Sequence, residues 1–461
     1  MPQPVAARTD RDAFGDFTGR TRFTEHFAIK WGSEVTPDGD DLDTLARVLE
    51  EAWRENERLG LGQPLGTDVY YANFYLAGTG PETPTIGFVG GYATLDDDDV
   101  SYITMALEVV EGLTEGTPER SAHDWQSGVV HEVHHLFQMP ALSYARDLWF
   151  WEAWANWFSN RLRPGNTDVL TFAGLPPLLP YAGVKTSTFN PSGAWGRHQY
   201  GIWVWPDLMV RAVGDELVSE IWSFHGVEAE PIEVLGDTLG ASGTSLEASF
   251  ADYAARRHVG DHEHGETILE RAARWAQDNP TFDHRITGLI PVAPEPVTLR
   301  RPRQRPEAFA SNFWRSEGLF GPGTLTVAFA GEREGTQGTP ASFSVRVRTG
   351  EGWQALGLRA HQGSWTAELA EATKVDVVVA THPGVYLDDE VFGYALEVDY
   401  RPLAPAEPSE RTCHTSGPAA PLSWVLLGLA LVRRRRQWVD RPPAMGRAGS
   451  PCRAPAPHAV G

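Results

Sequence analysis

Cysteine is nearly missing from this chain. Of 461 residues only Cys413 and Cys452 carry thiols, both near the end of the sequence, so no disulfide staples the body and the redox compartment is left open. Positive charge is scarce too: 39 Lys and Arg face 61 Asp and Glu, a formal net charge of −22. Such a surface repels phosphate backbones, and no basic stripe crosses the body, which argues against a nucleic-acid partner. The N-terminal stretch Met1–Asp10 lacks the apolar run a secretory signal needs, so from this end the reading is a cytosolic protein or a misplaced start. Internal repeats are absent as well.

What is present is globular. Hydrophobic residues make up 41% and aromatics 11%, with 17 Trp, a share that suggests a substrate cleft. The length exceeds one ordinary core and predicts a domain of roughly 250 residues with smaller units attached.

After a polar arm over residues 1–21, Thr24–Gly32 reads as a strand and Asp41–Gly60 as an amphipathic helix, with Leu42, Leu45, Leu49, Ala52 and Trp53 at helical spacing. Asp68–Leu76, Gly87–Leu95 and Ser101–Leu107 are β-prone and separated by Gly and Pro. Ser121-Ala-His-Asp124 fits a capping box that opens a helix ending at Met139-Pro140. Asp147–Leu162 and Trp195–Val213 read as further helices, with Asp215–His225, Ser245–Arg257 and Glu266–Gln277 after them. Strands first and helices later is an α+β arrangement with two lobes. From about Pro291 short alternating runs take over, Thr324–Ala330, Ser342–Thr349, Val375–Ala380 and Phe392–Tyr400 among them, which is β-sandwich patterning. The expected units are the arm, a main domain over 22–290, a sandwich over 291–403 and a tail over 404–461. The run Asp96–Asp99 lacks the spaced oxygen ligands of a calcium loop and reads as a solvated turn.

The chemistry concentrates on two of these helices. His131 and His135 stand four apart, so both rings leave one helix face, and Glu132 sits one step round, within reach of a metal-bound water. His134 is the weaker partner, having no Glu in register. A third ligand is expected from Trp149-Phe-Trp-Glu152-Ala-Trp154, where a carboxylate among aromatic rings is costly to desolvate unless a cation compensates it. The rival reading pairs Glu152 with Arg146 or Arg161. Asn156, one turn beyond Glu152, is placed to accept the outer N–H of a ligand histidine. His123 and His225 read as ordinary histidines.

Gly128–Gln138, Trp149–Trp157 and Gln199-Tyr200-Gly201 together resemble bacterial zinc metallopeptidases of the gluzincin clan, over roughly Thr24–Gln277. The resemblance implies a thermolysin-like zincin domain that hydrolyses peptide bonds, with zinc held by His131, His135 and Glu152. It also implies Glu132 as general base and acid, and Tyr200 or His198 as the donor that steadies the oxyanion. Many members carry Asp where this chain has Asn156, and their spacing to the glutamate helix is often slightly longer. The alternative function is a non-catalytic surface binding protein that keeps the zincin fold; an intact Glu132 speaks against it.

The tail reads as an anchor. Cys413 precedes a Pro/Ser/Gly spacer, the uncharged segment 417–432 and then Arg433–Arg436, an order that resembles myxobacterial C-terminal sorting signals. That resemblance implies an exported protein, at the cell surface or released, that meets the membrane through 417–432, with Cys413 as the processing or lipid-attachment point. Residues Gln437–Gly461 run on past the arginines, unlike most such signals.

Overall fold

The computed structural model describes residues 8–404 apart from 119, 142–146, 187–192, 227–228, 301–303, 351 and 385–389. Arg146 and the tail features at Cys413, 417–432 and Arg433–Arg436 therefore lie outside the described residues. The chain is mixed α and β, with helices and several sheets. Strands β1 (Arg20–Phe23), β2 (Phe27–Trp31), β3 (Ala72–Ala77), β4 (Gly91–Leu95) and β5 (Ser101–Ala106) form a sheet in the order β1-β2-β3-β5-β4. The pairs β2–β3 and β3–β5 are parallel, while both edge strands run antiparallel to their neighbours. Every residue of the central strands β2, β3 and β5 is buried, whereas edge strand β4 is half-buried along its length, as expected of a strand covered on one side only.

Helix α1 (Gly39–Arg58) opens at Asp38, whose side chain accepts from Asp40 N–H, and buries Leu42, Leu45, Leu49 and Trp53, the face expected from the spacing. A short α2 (Leu107–Glu111) leads to α3 (Ala122–Gln138), capped by the reciprocal Ser121–Asp124 box. Helix α4 (Leu148–Leu162) packs beside α3. The expected helix over Trp195–Val213 is broken into Gly193–Gly201 and Val204–Val213. Pro206 explains the break: its ring has no N–H and collides with the carbonyl four residues back, so one helix cannot run through Ile202. Gly201 ends the first piece where a Cβ would sit 2.2 Å from the Phe172 carbonyl oxygen, a closeness only glycine permits.

The arm does not hang free. Thr9 N–H bonds the Val69 carbonyl at 2.9 Å, Lys30 Nζ donates to the Arg11 carbonyl at 2.7 Å, and Arg11 pairs with Asp96 and Asp98. The run Asp96–Asp99 is a turn, with Asp96 Oδ1 accepting from Asp98 and Val100 N–H.

Beyond the helices lie two facing sheets. One has the order β11-β10-β13-β8-β6 and the other β12-β9-β14-β7, where β6 is Gly288–Ile290, β7 Val297–Arg300, β8 Ala310–Ser316, β9 Gly323–Gly331, β10 Phe343–Thr349, β11 Gln354–Leu356, β12 Gln362–Leu369, β13 Val375–Thr381 and β14 Tyr394–Pro402. Their inner faces meet at Phe329, Phe343 and Tyr394, with Trp314 Nε1 bonding the Tyr394 hydroxyl at 2.8 Å. The first strand of this sandwich starts before Pro291, since Gly288–Ile290 already pairs with β8.

The sandwich is sewn to the helical part by buried polar contacts, and residues up to Ala404 form one compact unit. Arg257 of the Leu246–Val259 helix is 3% exposed and donates to the Pro180 carbonyl and to Ser311 Oγ, which also meets His258 Nε2. Ser311 N–H bonds Pro180 O at 2.7 Å and Glu307 N–H bonds Tyr181 O at 3.0 Å. Glu307 Oε2 in turn accepts from Gly183 N–H at 2.8 Å and the Thr186 hydroxyl at 2.7 Å.

Candidate metal centre

Helices α3 and α4 run antiparallel, and their register builds the site. Ser127 Oγ meets Ser159 Oγ at 2.7 Å, His131 Nδ1 meets Asn156 Oδ1 at 2.9 Å, and Gln138 Nε2 donates to the Trp151 carbonyl at 3.2 Å. Residues 152, 156 and 159 thus form one face of α4 that descends α3 as α3 ascends. This zipper brings Glu152 against both expected histidines: its Oε2 lies 3.0 Å from His131 Nε2 and 3.6 Å from His135 Nε2. The two Nε2 atoms are themselves 3.0 Å apart.

A triangle of 3.0, 3.0 and 3.6 Å fits one face of a tetrahedron. Three ligands at zinc–nitrogen and zinc–oxygen distances would be separated by about 3.3 Å. The tautomers agree with that use. Both Nδ1 atoms face amide oxygens that can only accept, Asn156 Oδ1 for His131 and Gln138 Oε1, at 2.6 Å, for His135. The protons therefore sit on Nδ1, and both Nε2 lone pairs point at the same place. The donor set of two imidazoles and one carboxylate suits zinc.

The electrostatics is that of a carboxylate pair in a nearly dry pocket. Burial works against the charge of Glu152, yet His131 and His135, which donate to it from Nε2 when the rings take up a second proton, hold its carboxyl well below the usual range. Burial likewise opposes a charged His135, but Glu152, Glu132 and Gln138 push it up to about 9. Glu132 is raised by burial, partly offset by the two histidines and, to a smaller degree, by the nearby backbone amide of Ala93 in β4. The open edge of the sheet therefore faces the candidate base.

Arg161 does not pair with Glu152; its guanidinium holds Glu55 and Asp215 instead. Glu152 side-chain exposure is 16%, between Trp149 at 1% and Trp154 at 0%. His134 is turned away, its Nδ1 2.7 Å from buried Asn56 Oδ1 and its ring stacked on Phe158.

Of the two expected oxyanion donors, one joins this group. Tyr200 has its ring 6.3 Å from that of His131, and its hydroxyl interacts with Glu152 and Gln199. The negative charge of Glu152, with burial, raises its pKa, so it stays a neutral donor. Asn156 Nδ2 fastens the Tyr200 carbonyl at 2.8 Å and so ties this helix to the site. His198 is 1% exposed on the same helix, and burial and nearby Arg257 push its pKa down to about 3. Residues two apart on a helix do not share a face, which is why Tyr200 and His198 part company.

Gln138 and Ala93 were not singled out in the sequence. Gln138 stands three residues after His135 and so shares its face, a readable signal. Ala93 is reached only through the packing of β4 on α3. Trp151, whose ring is 6.2 Å from that of His135, also borders the cluster.

No family model matches the chain, and no curated protein matches it. Among solved structures the chain is similar to the pre-peptidase C-terminal domain of collagenase from Bacillus anthracis, at 7% identity and a TM-score of 0.17, covering 25% of this chain and 93% of that one.

Proposed function

We propose that the chain is a zinc-dependent peptidase with a thermolysin-like catalytic domain, acting on peptide or protein substrates. The observation that carries this reading is the convergence of His131 Nε2, His135 Nε2 and Glu152 Oε2, all within 4.8 Å of one another, with Glu132 beside them as a carboxylate that ligates nothing. His131, His135 and Glu152 would hold the ion, and Asn156 and Gln138 would orient the rings. Bound zinc supplies a Lewis acid and lowers the pKa of a water bound to it.

The chain's own residues supply the rest. Glu132 takes the proton of the attacking water and returns it to the leaving amine, and its raised pKa suits a group that must carry a proton between two steps. Tyr200, kept neutral by the neighbouring Glu152 charge, donates to the developing oxyanion. Edge strand β4 offers unpaired backbone groups beside Glu132, which favours an extended peptide over a compact ligand. An exported protein displayed at or released from the cell surface, as the tail suggests, is part of the same proposal.

The test joins metal analysis of the purified chain with digestion of a mixed peptide library by wild type and Glu132→Gln. One zinc per chain, cleavage by wild type and a loss of turnover by orders of magnitude in a variant that keeps its zinc are expected. A zinc-loaded wild type that cuts nothing in the library would overturn the peptidase reading, and so would an equally active Glu132→Gln.

A further inference from the structure

Along β4 the backbone groups point alternately to the partner strand and to the open edge. On the β5 side, Ala106 N–H bonds Gly90 O at 2.8 Å and Asp96 N–H bonds Val100 O at 3.0 Å, which turns the even positions inward. Gly91, Ala93 and Leu95 therefore present their amides outward, and the Ala93 amide meets Glu132. Just before β4 begins at Gly91 the chain bends through residues 87–90 and carries Phe88 and Val89, each 57% exposed, with Ile86 packed partly on the core. With Ala77 and Ala106 these residues line a cavity of about 390 Å³ in which Glu108 is the one charged residue of the lining. Exposed aromatic and branched side chains at the rim of a cavity have no role in the core, and a hollow of this size takes a side chain readily.

The geometry points to a secondary substrate subsite here: the Ile86–Val89 cavity takes an apolar side chain of an extended peptide, three to five residues from the bond that is cut. The distance is bounded by the chain. β4 begins at Gly91 and residues 87–90 bend before it, so Val89 lies at most about 14 Å from Ala93, a span that an extended peptide on this edge covers in about four residues. The side chain it takes is apolar because Phe88, Val89 and Ile86 offer only dispersion and burial, while Glu108 and the overall charge of −22 disfavour an acidic residue. The inference rests on the peptidase reading and adds the requirement for a long substrate.

Quenched-fluorescence peptides that share one cleavable centre, in Gly/Ser surroundings, are made with a single Leu moved outward residue by residue on either side. Wild type is expected to show a second maximum in kcat/KM when Leu stands three to five residues away on one side, about tenfold above the Gly peptide and carried by KM, as burial of one leucine supports. Replacing Leu by Asp at that position should remove the gain. Phe88→Ser with Val89→Ser should abolish the maximum while leaving short peptides that end before it unchanged, and both residues are exposed enough for the fold to tolerate the change. A flat profile beyond two residues overturns the proposal, as does a maximum that the double variant keeps. Fluorescence anisotropy of the same peptides on zinc-loaded Glu132→Gln reads the subsite without turnover. Tighter binding of the Leu peptide there supports the subsite even if wild type cuts nothing, and equal binding of the Leu and Gly peptides sinks it.

Discussion

Asn156 offers the sharpest lever on the metal centre, because its side chain does two separable things. Its Oδ1 accepts from His131 Nδ1 at 2.9 Å and its Nδ2 donates to the Tyr200 carbonyl at 2.8 Å. Asn156→Leu removes both. The ring of His131 then loses the bond that fixes its tautomer, and loss of such an outer partner costs ten- to a hundredfold in metal affinity, or ~1.4–2.8 kcal/mol. Two buried hydrogen bonds of about 0.5–1.5 kcal/mol each are lost from the metal-free fold as well. Asn156→Asp separates the two roles. A carboxylate still accepts from His131, now with charge assistance, but sets an oxygen against the Tyr200 carbonyl. Zinc affinity at or above wild type, with a lower melting temperature, is therefore expected of Asn156→Asp, whereas Asn156→Leu loses on both counts. Competition with a fluorescent chelator measures the affinity, and thermal melts in chelator measure the stability. An Asn156→Leu protein that holds zinc as tightly as wild type would refute the argument that His131 is oriented through its outer nitrogen.

Tyr200→Phe is expected to lower kcat by about a hundredfold with zinc retained, the usual effect of removing one oxyanion donor, as read by steady-state kinetics on a cleaved peptide. The metal-free protein should show a two-sided pH dependence. Glu152, held below its ordinary 4.5, contributes stability that is complete above that value and lost as pH falls through its lowered folded pKa. His135, pushed from 6.5 up to about 9, contributes stability that is complete below 6.5 and lost as pH rises through about 9. Zinc requires neutral His135, so the rise in melting temperature on adding zinc should grow between about pH 6 and pH 9; a rise that shrinks over this range would remove His135 from the ligand set. Glu307→Ala should cost about 1–3 kcal/mol, because Gly183 N–H and the buried Thr186 hydroxyl both lose their acceptor, while Glu307→Gln, which keeps one carbonyl oxygen, should cost less in a urea titration at constant slope.

The centre was readable because its parts obey local rules. The Ser121–Asp124 box, the four-residue spacing of His131 and His135, and a lone carboxylate among tryptophans are each visible in fewer than ten consecutive residues. What lay beyond reach depends on pairing across the chain. Ala93 meets Glu132 only because β4 lies along α3, a fact of sheet order that no periodicity encodes. Strand β8 was hidden because Ser311 and Asn312 break its apolar pattern; both are buried, the first against Arg257 and the second against the Tyr394 hydroxyl. The arm reads in the sequence only as polar, and nothing local reveals that Arg11 pairs with Asp96 and that Asp12 accepts from the hydroxyl of Tyr75.

Charge balance decides what kind of cation the cluster calls for. Glu132 and Glu152 place two carboxylates in one nearly dry pocket, and among the described residues no lysine or arginine forms an ion pair with either. A single proton on the histidine pair cancels half of that charge and can serve only one of two contacts at once, His131 to Glu152 or His135 to His131, both 3.0 Å. Neutral donors such as Ala93 N–H and the Tyr200 hydroxyl soften the remainder without removing it. A dication held by His131, His135 and Glu152 would cancel both charges, engage both Nε2 lone pairs together and leave the Nδ1 protons where Asn156 and Gln138 already hold them. Of the two ways to compensate the pocket, only the second uses every contact the helices have built.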